Sequence, residues 1–153
     1  MSSLDAVVAP FSSSAEVALV AETDAQPRGL LMRVLRESGY AVVAASSADQ
    51  LELALRAGPL LEAASPVAVL GVWFAKRCAG ALAVAAARRA RAGLHELSVV
   101  LIYEQGTLTT VVRPSLGPCH LVAIFEKPLD FNQLSSVVRA TSLVHRTRTP
   151  PGR

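Results

Sequence analysis

Apolar residues along this chain gather in five short runs separated by longer, mixed stretches. Val17–Ala21 is the first run, Ala41–Ala45 the second, Val67–Leu70 the third and Ser98–Ile102 the fourth. The fifth starts at His120 and stops at Lys127-Pro128, where proline can neither donate to a ladder nor leave its predecessor free. These runs predict strands. Between them the spacing changes to that of helices. Leu30, Leu31, Val34 and Leu35 share one helical face, Pro27 suits a first turn, and Gly39 suits the positive φ that ends such a helix. Ser46 and Ser47 offer caps for a helix through Leu51, Leu53 and Ala54, interrupted by Gly58-Pro59. After a loop carrying Lys76 and Arg77, an alanine-rich helix from about Ala79 runs to Gly93. Asp130, with Gln133 three residues on, has capping-box spacing for a last helix over Phe131–Val144.

Strands alternating with helices predict a parallel sheet covered on both faces. Right-handed crossovers leave few arrangements, and the doubly wound, flavodoxin-like strand order 2-1-3-4-5 suits the count. One segment departs from the alternation. Glu104 to Cys119 holds Gly106, Thr109-Thr110-Val111-Val112, Pro114, Gly117 and Pro118, which is poor helix material. The helix between the fourth and fifth strands is therefore expected to be weak or remodelled. A flexible arm is expected over residues 1–15, the domain over 16–145 and a tail over 146–153.

Composition narrows the function classes. With 153 residues and 52% hydrophobic content the chain supports one domain with a sizeable core. The net charge of +3 is scattered, with no basic stripe interleaved with aromatics, so no nucleic-acid partner is expected. Cys78 and Cys119 fit no metal spacing and read as reduced thiols of a cytoplasmic protein. The first basic residue is Arg28, which gives no signal-peptide start. The longest apolar runs, near Val67–Ala75 and Ala79–Ala87, are too short to cross a bilayer, so no membrane partner is expected.

The acidic turn Glu22-Thr23-Asp24, the helix ending Ser38-Gly39-Tyr40, and the strand end Phe125-Glu126-Lys127-Pro128 together resemble the receiver domain of bacterial two-component response regulators, over roughly Val17 to Val144. The resemblance implies phosphoryl transfer to an aspartate at the end of the third strand. An acidic pair after the first strand would hold Mg²⁺, and a Ser or Thr and a Lys would contact the phosphoryl oxygens. Here the acceptor position falls on Gly71, the acidic pair on Glu22 and Thr23, the hydroxyl position on Tyr103 and the switch aromatic on Ile124. Only Lys127 and Pro128 match. No Asp or Glu lies between Ser65 and Leu94, so a shifted register supplies no substitute acceptor. The expectation is a degenerate pseudo-receiver that is not an enzyme and binds no metal or other cofactor.

Glu22 and Lys127 should then satisfy each other as an ion pair. Asp24 is expected to cap the first helix. Trp73 and Tyr103 are expected to fill the vacated space. The leading function is a phosphorylation-independent interaction module, a regulatory adaptor for another signalling protein or a second copy of itself. Leu108, Val111, Val112 and Ile124 are its candidate partner face. The competing reading is a ligand-sensing domain with a small molecule held by Trp73, Tyr103 and Lys127.

Overall fold

A computed structural model describes residues 16–147 of the chain; the expected arm over 1–15 and the tail from 148 onward lie outside the described residues. Five parallel strands form one sheet: β1 Val17–Ala21, β2 Ala41–Ala45, β3 Val67–Gly71, β4 Ser98–Tyr103 and β5 His120–Glu126. Their order is β2-β1-β3-β4-β5, the flavodoxin-like arrangement expected from the alternation. The helices are α1 Ala25–Glu37, α2 Ala48–Ala57, α3 Val72–Arg77, α4 Ala79–Arg91 and α5 Phe131–Thr147, with a 3₁₀ turn at Pro59–Leu61.

Because side chains alternate across a strand, the sheet feeds two cores. On one face Val17, Leu19, Ala68, Leu70, Val99 and Leu101 pack against Leu51 and Leu55 of α2, Phe74 of α3 and Leu82 of α4. On the other Ala18, Val20, Val67, Val69, Val100 and Ile102 meet Leu31 and Leu35 of α1 and Leu134 and Val138 of α5. Local chemistry sets the ends of several elements. Gly39, at φ 97°, closes α1 in a conformation that disfavours side chains. The Ser47 hydroxyl accepts from Gln50 N to cap α2, and Asp130 Oδ1 accepts from Asn132 N and Gln133 N to cap α5.

Three local expectations change, and one buried charge, Arg89, is added by the fold. Lys76 and Arg77 end the short helix α3 instead of lying in a loop, because Val72, Phe74 and Ala75 are buried on one side of that turn. Helix α1 starts at Ala25, so Pro27 stands in its first turn as expected; Asp24 holds the cap position, yet its carboxylate makes no capping bond. Helix α5 continues to Thr147, past Val144. Arg89 is almost wholly buried, donating to the carbonyls of Leu60, Leu61, Ala63 and His95, which fastens α4 to the α2–β3 connection. Burial lowers its pKa to about 10.

No helix occupies residues 104–119. The segment leaves β4 through turns, then lays Val111, Leu116 and Cys119 against the core, with Cys119 beside Leu82 of α4. The strand order makes β5 a sheet edge, and all its residues but exposed His120 are half-buried. A bulge opposite Val99 and Val100 changes its phase. Leu121 and Ile124 consequently lie on one face, Val122 and Phe125 on the other.

Candidate functional site

At the carboxyl end of the sheet, the turns after β1, β4 and β5 converge on Lys127. Glu22 extends β1: its backbone N–H donates to Ala45 O at 3.1 Å, holding the residue beside β2. Its side chain is only 10% exposed, and Oε1 lies 3.0 Å from Lys127 Nζ. The expected pair is therefore present. The other oxygen, Oε2, accepts from Asp24 N at 3.1 Å and from Thr23 Oγ1 at 3.4 Å. Arg28, one turn into α1, donates to the carbonyls of both Glu22 and Thr23 at 3.0 Å.

A third member was not expected from the sequence. Glu104, the first residue after β4, places Oε2 2.9 Å from Lys127 Nζ. The signal was available: in the order 2-1-3-4-5 the residues just past β4 and β5 are neighbours, so a carboxylate at one end meets a lysine at the other. Lys127 also donates its backbone N–H to Tyr103 O at 2.9 Å, and the Lys127–Pro128 bond is cis.

Burial by itself raises the Glu22 carboxyl, but the hydrogen bonds from Lys127 and Asp24 N and the lysine charge outweigh it, leaving its pKa below the ordinary value. Burial lowers Lys127, and the two glutamates more than reverse this, so its pKa is raised. Both shifts favour the charged pair.

As a cation site the cluster is poor. One Glu22 oxygen faces the ammonium, the other is taken by Asp24 N and Thr23, and Gly71 brings no side chain. Among the described residues no three His, Cys, Asp or Glu side chains gather as metal ligands. Magnesium therefore does not fit the donor set as it stands.

Gly71 lies at the end of β3 with φ −59° and ψ 146°, angles open to any residue. A Cβ built there would meet only Phe74 Cδ2, at 3.6 Å. The fold tolerates a side chain at this position.

The two aromatics separate. Tyr103 is buried in the core, whereas Trp73 is 56% exposed on α3 and meets Phe74 edge-on at 5.0 Å. Helix α3 begins directly at Val72, and the indole borders the space at the end of the sheet without filling it. A cleft of about 220 Å³ remains, lined by Glu22, Thr23, Gly71, Trp73, Phe74 and Glu104. Neither Tyr103 nor Lys127 lines it, and it is smaller than the roughly 300–1,000 Å³ usual for ligand pockets.

The candidate partner face also divides. Leu108 is 42% and Val112 76% exposed. Val111 and Ile124 are half-buried against the core. Cys78 and Cys119 are both free thiols. No helix among the described residues is long and apolar enough to cross a membrane.

No family model matches this sequence, and no curated protein matches it. Solved structures do resemble it. The signal receiver domain of an HD domain-containing protein from Pseudomonas fluorescens Pf-5 superposes with a TM-score of 0.62 at 14% identity, over 88% of this chain and 99% of that one. A CheY-like response regulator receiver domain protein from Methanospirillum hungatei JF-1 gives 0.60 at 16% identity, over 87% and 98%. Full-length FixJ from B. japonicum gives 0.58 at 16% identity, over 88% of this chain and 61% of that one. At such identities the likeness establishes the receiver-type fold, a fold used by signalling proteins.

Proposed function

We propose that this protein is a pseudo-receiver, a signalling module that works by binding another protein, or a second copy of itself, without being phosphorylated. The observation that carries this reading is Gly71 at the end of β3, where a receiver needs its nucleophile. The neighbouring groups agree with it. Lys127, the cation that would meet a phosphoryl oxygen, is held by Glu22 and Glu104 at 3.0 and 2.9 Å. Glu22, the one carboxylate left of the acidic pair, is committed to that lysine and to the Asp24 amide. With no nucleophile and no metal-ready carboxylates, nothing remains here for catalysis, and the exposed Leu108 and Val112 are the natural contact residues.

The test rebuilds the chemistry. Wild type incubated with acetyl phosphate and Mg²⁺ should take up no label, and Gly71→Asp alone should also take up none, because the metal still lacks a ligand. The triple variant Glu22→Asp, Thr23→Asp, Gly71→Asp should show Mg²⁺-dependent labelling, since a Cβ at position 71 meets only ordinary contact. Wild-type labelling that persists in Lys127→Met would place an acceptor elsewhere and overturn the reading.

A further inference from the structure

The stretch from Glu104 to Cys119 is held in two different ways along its length. Its second part is anchored by burial: Pro114 is buried, and Val111, Leu116 and Cys119 pack on the core. Gly117 lies against α4, where an added Cβ would be 3.7 Å from Ala83 Cβ. Its first part has no such anchor. Residues 104–110 are exposed apart from half-buried Thr107, and polar contacts to the end of β5 hold them. Glu104 Oε2 reaches Lys127 Nζ at 2.9 Å, although the Glu104 side chain is 69% exposed. Glu126 Oε2 accepts from Gly106 N at 3.0 Å and from Leu108 N at 3.2 Å. Between these points the chain makes its own turns, with Thr107 N and Oγ1 both donating to Glu104 O and Val111 N donating to Thr107 O. Gly106, at φ 79°, supplies a reversal that a side chain would resist.

We propose that residues 104–110 form a strap latched to the end of β5 by Glu126 and Lys127, able to open as a unit while residues 111–119 and the sheet stay folded. The geometry gives the strap a latch of charge at one end and a fixed base of apolar contacts at the other. Opening lifts Glu104 from Lys127 and from the cleft it lines, and it frees Leu108 from its amide contact with Glu126. Lys127 keeps its better-buried partner Glu22 throughout, so opening strands no charge in the interior. The exposed Leu108 therefore has two positions set by a surface electrostatic contact, and anything that binds the open strap is coupled to the Lys127 cluster. This stands on the contacts alone and does not depend on whether the module is phosphorylated.

Amide hydrogen exchange read by NMR tests it on the full chain. In Glu126→Ala, exchange at Gly106 and Leu108 should rise by about 10-fold or more, while Cys119 and Leu101 keep their wild-type rates. Glu126→Gln retains an acceptor without the charge and should fall between. Raising NaCl to about 1 M on wild type should speed the same two amides selectively, because the contacts are exposed and screened. Unchanged rates at Gly106 and Leu108 in Glu126→Ala, or an equal rise at Cys119 and Leu101, would overturn the strap. If that variant does not fold, the wild-type salt experiment decides, and no selective change there rejects the latch.

Discussion

Two connections leave the same end of the sheet, and each hands a carboxylate to one lysine. Between β1 and α1, Glu22 is nearly buried; its backbone is bonded to β2, its second oxygen is occupied, and Arg28 grips the carbonyls around it. Between β4 and β5, Glu104 reaches the same ammonium 0.1 Å closer (2.9 against 3.0 Å) from a side chain that is mostly in water. Distance alone would rank the two contacts as equals. Burial ranks them differently: an exposed pair contributes about 0–1 kcal/mol, whereas stranding one partner of a buried pair costs about 3–5 kcal/mol. The β1–α1 connection is built to hold its carboxylate, and the β4–β5 connection is free to withdraw one.

The largest expected effect tests the buried side. Lys127→Met leaves Glu22 without its cation. Because the lysine is 22% exposed, the loss should fall short of the fully buried figure, at about 2–3 kcal/mol in urea unfolding, with Glu22→Leu in the same background recovering part of it. Additive losses would show that the pair does not couple. The pH profile carries the same information with a definite sign. The Glu22 pKa lies below its ordinary 4.5 in the folded protein, so its contribution is present above that value and lost as pH falls through the folded pKa. Lys127 is raised, so its contribution holds below its ordinary 10.5 and disappears as pH rises past the folded value. Acid sensitivity below about pH 4.5 should therefore shrink in Glu22→Leu.

A second comparison lies within the β4–β5 connection. Val111→Asp places a charge against the core and should destabilise by about 1–3 kcal/mol. Leu108→Asp with Val112→Asp should stay within about 0.5 kcal/mol, yet remove binding of a partner recovered by pull-down from the native cell. Should the double change unfold the protein, these side chains are part of the core and the contact face is elsewhere.

The smallest effect belongs to the exposed carboxylate. Glu104→Gln should change stability by about 0–1 kcal/mol, and the difference should vanish near 1 M salt. A larger, salt-resistant loss would make the two connections alike and remove the contrast between them.

The outline of the molecule was legible because it follows from local patterns. Apolar runs of strand length alternating with helical spacing, Gly39 and the caps at Ser47 and Asp130 are short-range signals, and each stands where the pattern placed it. The ion pair of Glu22 with Lys127 was also readable, since both follow strands that end on the same side of a parallel sheet. That the residue ending β3 is a glycine, with no side chain to offer, is plain from the sequence alone.

Tertiary structure decided the rest. Trp73 stays 56% exposed beside the cleft because α3 starts without a loop and buries Val72, Phe74 and Ala75 instead. The missing helix between β4 and β5 was foreseeable from Pro and Gly, but not which of its residues would stay in water: Val111 found a place on the core and Val112 did not. The bulge in β5 is the clearest instance. Strict alternation would put Leu121 and Ile124 on opposite faces; the extra residue puts both on one face and carries the phase on toward Glu126, which meets the strap. Period fixes which residues can share a face, but a one-residue slip in pairing depends on the neighbouring strand and exchanges the faces beyond it.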